Sequence, residues 1–238
     1  MTKTKYIMSD GLAFSEDKDM EKLRKFSLKG WHVKGFKFMG YTLEKGESID
    51  YIYSVDYRPL RADEEDEYFD LLSSAGWSHI ASDADIHLFR ATPGTNPIYS
   101  DRDTSVEKYT NLSKPMTRIA IPFILLTAIV WIIALFSGGN LKTVFLVGAT
   151  VLSMFALPLA WTSLAAYSTK LKVKGNDGMA ILLKTVPVIV FLIAVVILLF
   201  TFSADHAVRV LISAMIGGIA LPTIIWGIMS LSHKIGGR

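Results

Sequence analysis

The sequence predicts two joined domains. Residues 1–91 form an α+β domain of the ferredoxin-like kind, residues 92–113 a linker, and residues 114–238 an all-α domain of four membrane-spanning helices. Three observations carry this reading. Four stretches, 119–141, 143–169, 185–204 and 210–232, contain no Asp, Glu, Lys or Arg. Charge is divided unevenly: residues 1–113 hold 15 basic and 20 acidic residues, residues 114–238 hold 10 and 2. Within the first domain a segment ending in Gly-Trp occurs twice, at Gly30-Trp31 and at Gly76-Trp77.

The N-terminal elements follow in order. Residues 5–8 read as a first strand. The run from Glu21 to Trp31 parallels the run from Glu67 to Trp77. Each is a helix ended by glycine in the left-handed conformation, with tryptophan opening the next strand. Glu16, Asp17 and Asp19, then Asp63 through Glu67, crowd the two helix starts, where the helix dipole favours negative charge. Residues 32–43 and 49–57 are expected as strands joined by a hairpin turn at Glu44 to Ser48. In the second of these, Tyr51, Tyr53, Val55 and Tyr57 share one face. Residues 78–82 and 86–91 form a further hairpin turned by Asp83, Ala84 and Asp85. The predicted order is β-α-β-β-α-β plus one strand, the split β-α-β pattern.

The four uncharged stretches place spans at about 119–139, 144–167, 185–204 and 209–231, each long enough for a hydrocarbon core of ~30 Å. Lysine and arginine near the spans set the orientation. Lys114, Arg118, Lys170, Lys172, Lys174, Lys184, Lys234 and Arg238 lie on one side, and only Lys142 and Arg209 on the other. The N-terminal domain, the middle loop and both termini are therefore expected to be cytoplasmic. The spans form an internal repeat. Pro122 recurs as Pro187, Phe136-Ser137 as Phe202-Ser203, Pro158 as Pro222 and Trp161 as Trp226, at offsets of 65, 66, 64 and 65 residues. Each unit is a hairpin, which implies a pseudo-twofold axis along the membrane normal. Pro158 and Pro222 fall inside helices, where a static bend or a hinge would follow. Gly217-Gly218 with Ala214 offers a small-residue packing face. The spans carry no ionisable residue, unlike most ion and proton pathways.

Composition excludes several classes. The basic excess lies beside the spans, and the acidic N-terminal half repels phosphate backbones, so no nucleic-acid partner is expected. The absence of cysteine removes disulfides, thiol nucleophiles and cysteine metal sites. The first residues lack the apolar core of a secretory signal, so targeting is expected to come from the first span.

The helix–Gly-Trp module, the strand from Tyr51 to Tyr57, Ala75-Gly76-Trp77, and Phe89-Arg90 followed by Pro97-Ile98-Tyr99-Ser100-Asp101 resemble the bacterial domain-of-unknown-function family 2812, over about residues 1–115. The resemblance implies appended membrane helices and a regulatory or envelope-associated setting, because genes of the family often neighbour PadR-type regulators. It carries over no functional residue.

No phosphate loop, dinucleotide fingerprint, zinc-protease helix or nucleophile elbow is present. His79 and His87 sit symmetrically about Asp83, and with Asp83 or Asp85 they form the nearest approach to a metal set, although exposed hairpin histidines are ordinarily only solvated. The run from Asp63 to Glu67 reads as a solvated helix start. Trp31, Phe36, Phe38, Tyr51, Tyr53, Tyr57, Trp77 and Phe89 read first as core, and otherwise as a pocket or an interface. No catalytic, cofactor or metal residue is expected, and no cofactor. The expected function is a multi-pass membrane protein with a non-catalytic cytoplasmic domain that binds a ligand or a protein. The alternative is a transport or resistance component exporting an apolar substrate. The expected partners are the lipid bilayer, a cytoplasmic protein and a second copy of the chain.

Overall fold

A computed structural model describes residues 3–201 and Ile228. They fall into two compact units, divided after Ile98 and after Pro187.

The N-terminal unit is a β-α-β-β motif built twice. The first copy is β1 (Thr4–Met8), α1 (Leu12–Ser27), β2 (Trp31–Lys37) and β3 (Gly40–Lys45). The second is β4 (Ile52–Tyr57), α2 (Glu65–Ser74), β5 (Ser78–Asp83) and β6 (Ile86–Ala91). Each copy makes its own antiparallel three-stranded sheet, in the orders β1-β3-β2 and β4-β6-β5. In each, the last strand inserts between the two that flank the helix, which is the split β-α-β arrangement. Even the irregularities repeat: the register of β2 shifts between Val33 and Gly35, and that of β5 between His79 and Ala81.

Three expectations are corrected. Residues 32–43 are not one strand but β2 and part of β3, turned at Phe38 and Met39, where Met39 adopts φ 55°. The turn falls there because Gly40 packs against β1: a Cβ at that position would lie 2.1 Å from the Ile7 carbonyl oxygen. Glu44 to Ser48 is consequently not a hairpin turn. It carries the chain from one sheet to the other. The acidic residues of α1 also sit differently. The helix begins at Leu12 and breaks at Ser15 (φ −152°, ψ 49°), so Glu16 and Asp17 open its second run.

The helices end as the sequence expects. Gly76 has φ 91° and its N–H reaches Ser73 O at 2.9 Å, while Trp77 N–H reaches Leu72 O at 2.9 Å. These bonds satisfy carbonyls that the helix end would leave bare. Trp77, Phe89, Leu72 and Ala91 then close a core under α2, joined by half-buried Ile52, Tyr68, Phe69 and Ile98. The other face of β4 packs along α1, where Tyr57 donates to Glu16 at 3.0 Å and Arg24 pairs with Asp50 at 2.7 Å. Under α1, Leu23, Tyr41 and Leu43 are fully buried, and so is Asp19. Asp19 accepts from Asp10 N–H at 2.8 Å, from the Tyr41 hydroxyl at 3.2 Å and from Ser9 Oγ. Burial, and then the Asp19 carboxylate, push the Tyr41 hydroxyl above its ordinary range.

The second unit, which ends at Pro187, is a helical hairpin, α3 (Arg102–Phe136) and α4 (Gly139–Val173), followed by the start of α5 (Asp177–Thr201). Asp101 caps α3 by accepting the Thr104 N–H at 2.8 Å. The end of the expected linker, from Arg102 onward, is thus helical and continuous with the first expected span, through Pro115 and Pro122. Pro158 likewise lies within an unbroken α4. Two side-chain bonds fix the pairing: Thr117 with Ser163 at 3.1 Å, and Trp131 Nε1 to Ser153 at 3.0 Å. At the far end the Arg102 guanidinium donates to the terminal carbonyls of Val173 and Lys174.

Between the helices runs a seam of small side chains at seven-residue spacing. Ser113, Ala120, Thr127 and Ala134 on α3 meet Ala149, Ala156 and Ser163 on α4, and all seven are buried. The large apolar residues point away: Ile121, Leu125, Ile129, Ile132 and Leu135 on α3, and Val144, Val147, Met154 and Leu157 on α4, are exposed. Among the described residues, α3 and α4 are the two helices long and apolar enough to cross a membrane. The third expected span is helical from 185 to 201. The fourth, with Pro222, Gly217 and Gly218, lies outside the described residues apart from Ile228, as do three of the second copy's four landmarks, Phe202-Ser203, Pro222 and Trp226.

Candidate functional site

The two β-bulges face each other. β2 and β5 are the edge strands of their sheets and run side by side, with Gly35 opposite Ala81. A bulge re-aims side chains and interrupts pairing. Here the interruption opens a cleft of about 400 Å³ between the two repeats. His32, Lys34, Glu44 and Lys45 line it from the first sheet, and His79, Ile80 and Arg90 from the second.

Its charges are held in fixed postures. Lys34 pairs with Glu44 at 3.2 Å. The Arg90 guanidinium lies 4.8 Å from the centre of the Tyr51 ring, and His32 meets the same ring edge-on at 5.4 Å. Lys45 lies 5.2 Å from the Trp31 ring and donates to the Lys29 carbonyl at 2.7 Å. Lys5 sits over Phe26 at 4.2 Å and near Trp31 at 5.3 Å. Burial, then repulsion from Lys29 and Lys45, hold the Lys5 ammonium below its usual range. His32 Nε2 donates to the Glu47 carbonyl at 2.7 Å, leaving Nδ1 buried with no hydrogen-bond partner.

One wall of the cleft leads inward. His87 Nε2 faces the Arg58 carbonyl at 2.9 Å, and a carbonyl only accepts, so that nitrogen carries the proton. In the neutral ring Nδ1 therefore accepts from Ser82 Oγ at 2.7 Å, and Ser82 in turn accepts from His79 Nε2 at 2.9 Å. The result is a directed chain from His79, in the cleft, to His87, which is 1% exposed. Phe69 stacks on His79 with ring centres 4.0 Å apart. Burial, and then His87, lower the His79 pKa.

The sequence-derived candidates sort themselves against this geometry. His79 and His87 do come together, with ring centres 6.4 Å apart, but they are joined through Ser82, and Asp83 and Asp85 remain exposed. Among the described residues no three or more His, Cys, Asp or Glu side chains are grouped to hold a metal. The run from Asp63 to Glu67 stays on the surface except for half-buried Glu65, with Asp63 paired to Arg61 at 3.3 Å. Of the aromatics, Tyr53, Tyr57, Trp77 and Phe89 are core. Trp31, Phe36 and Tyr51 are half-buried and Phe38 is exposed. Sequence reasoning missed Asp19, Ser82, Arg90 and His32. Across the repeat His32 aligns with Ser78 and His79 with Val33, so the duplication gave no signal for the two cleft histidines. A second cleft, of about 260 Å³, lies between α1 and β4 and is lined by Glu16, Asp17 and Glu21 with Arg24.

No curated protein and no solved structure matches the chain. Residues 15–121, which run from within α1 through β2 and β3 and the whole second copy into α3, match the family described as "Protein of unknown function (DUF2812)". Over that stretch the chain is similar to the family that its sequence motifs resemble.

Proposed function

We propose that this chain is a multi-pass protein of the cell membrane whose N-terminal domain lies on the cytoplasmic side and binds a ligand or a protein partner, in a regulatory or envelope-associated role, without catalysing a reaction. The single observation that carries the membrane part is the inside-out packing of α3 and α4. Small residues fill the seam and large apolar residues face outward, as expected where lipid rather than water surrounds a helix pair. In water so extensive an apolar surface would need another covering. The register supports a crossing of ordinary thickness. The uncharged part of α3, 119–136, spans ~27 Å at helical rise, close to a hydrocarbon core of ~30 Å. The residues of α4 beyond Ser163 then run beside the charged start of α3. Repetition of the Pro and Trp landmarks supports a second hairpin and hence a four-helix domain. The eight-to-two distribution of basic residues supports cytoplasmic termini. In the N-terminal domain the split β-α-β topology of each copy supports kinship with ferredoxin-like folds, here as two half-units meeting at a cleft.

The binding role rests on that cleft, which adjoins no recognisable catalytic motif. A transport role is the second reading, favoured by the outward apolar faces, which a second copy of the chain would also cover. Affinity capture from detergent extracts separates the two: a stoichiometric cytoplasmic partner supports regulation, whereas self-assembly alone favours transport. Purified protein in liposomes is expected to give no pH- or potential-driven flux above empty vesicles, because the uncharged stretches offer no ionisable group to replace an ion's hydration.

A further inference from the structure

We infer that the cleft between β2 and β5 binds a small organic anion, a carboxylate or phosphate ester with an apolar group attached. The inference rests on the reading of the N-terminal domain as a binding domain and gives that reading a ligand class. Arg90 and Lys45 line the cleft, and among the described residues neither has a carboxylate within ion-pair distance. Both are held instead over aromatic faces, Tyr51 and Trp31. Such a contact fixes a cation without consuming its N–H donors; one Lys45 N–H goes to the Lys29 carbonyl, and the remaining donors stay available for an incoming oxyanion. The paired Lys34 and Glu44 cancel each other, so the net charge of the lining is positive.

That charge stands out against its surroundings. Residues 1–113 carry five more acidic than basic side chains, 20 against 15. A polyanion approaching the cleft would meet this acidic surface, whereas a small anion is drawn to the local field alone. Size agrees: about 400 Å³ is a small-molecule volume. Val33 and the bulged Ile80 supply apolar contact for the body of the ligand. The unpartnered Nδ1 of His32 adds a polar atom in want of a bond. A buried polar group without a partner is costly, and a ligand hydroxyl that donates to this nitrogen removes that cost.

The test uses the full chain in detergent micelles with carbon-13-labelled histidine, titrated at constant ionic strength with hexanoate, hexanamide and inorganic phosphate. Hexanoate or phosphate is expected to shift the His32 and His79 resonances saturably, and hexanamide to shift them at least tenfold more weakly. Arg90→Gln is expected to weaken binding about tenfold, the loss of one charge-assisted contact, and Arg90→Lys to retain most of it. Lys45 is exposed, so Lys45→Gln reads the same loss without threatening the fold, which circular dichroism checks. Equal binding of hexanoate and hexanamide would overturn the anion class and leave a ligand-binding domain standing. No saturable shift from any of the three, or wild-type affinity in Lys45→Gln, would overturn the site itself. If affinity capture also returned no partner, the binding reading would fall with it.

Discussion

Replacing Trp77 with alanine removes the centre of the α2 core. The ring is 3% exposed and packs with Leu72, Phe89 and Ala91, with Ile98 closing the far side. Its Nε1 donates to the Asn96 carbonyl at 2.8 Å, which ties the chain beyond β6 back onto the sheet. Truncating a buried tryptophan costs about 3–5 kcal/mol. Asn96 is exposed, so water replaces the lost donor and adds little. Trp31 occupies the equivalent position in the first copy but is only half-buried, between the Lys5 and Lys45 ammonium groups. Its removal forfeits part of a ring's burial and two exposed cation–π contacts, about 1–2 kcal/mol together. The pair is thus unequal despite the repeat. Pulse proteolysis in urea, applied to the full chain in mild detergent, reads the folded fraction of the N-terminal domain. With a urea dependence near 1.5 kcal/mol per molar, Trp77→Ala should lower the midpoint by roughly 2–3 M and Trp31→Ala by about 1 M. Equal losses, or a Trp77→Ala loss below about 1 kcal/mol, would refute the core assignment.

Other expectations follow from single contacts. The His79 pKa is lowered by burial and then by His87, opposed by a backbone hydrogen bond at Ala81 and by Glu65, with Phe69 and Ser82 its other neighbours. Its folded pKa lies below the unfolded value of about 6.5, so stability should be full above that pH and decline as pH falls toward the folded pKa. His79→Gln should flatten the decline in a pH series of urea midpoints. Tyr41→Phe removes one donor from fully buried Asp19 and should cost about 1–2 kcal/mol, whereas Phe38→Ala, at an exposed turn, should cost little. Because the chain has no cysteine, Ala120→Cys with Ser163→Cys should form a disulfide on mild oxidation, while Leu125→Cys with Ser163→Cys should not. The reverse result, read by gel mobility after proteolysis between the helices, would contradict the seam.

Much of the fold was legible because its signals are local. Glycine at a helix end followed by tryptophan marks both helix–strand junctions, and the absence of charge over 119–141 and 143–169 marks the hairpin. The β2–β3 turn was hidden because Phe38 and Met39 carry no turn chemistry; the constraint sits on Gly40, against a strand more than thirty residues earlier in the chain. The seam of α3 and α4 was hidden because alanine, serine and threonine at seven-residue spacing do not register as hydrophobic periodicity. The cleft was the least legible. It is made where two edge strands fail to pair, and its cations are defined by ring faces contributed from other strands. Asp19 shows the same limit: in sequence it joins an acidic helix start, and only the fold reveals three donors converging on it.

Cysteine accessibility tests the membrane reading most directly. Asn140→Cys lies in the first turn of α4, beside the α3–α4 turn, and Gly175→Cys between α4 and α5, each in a chain with no other cysteine. A membrane-impermeant maleimide applied to intact cells should label Asn140→Cys and should label Gly175→Cys only after permeabilisation. Labelling of both in intact cells, or the opposite sidedness, would contradict a cytoplasmic N-terminal domain carried on a spanning α3–α4 hairpin.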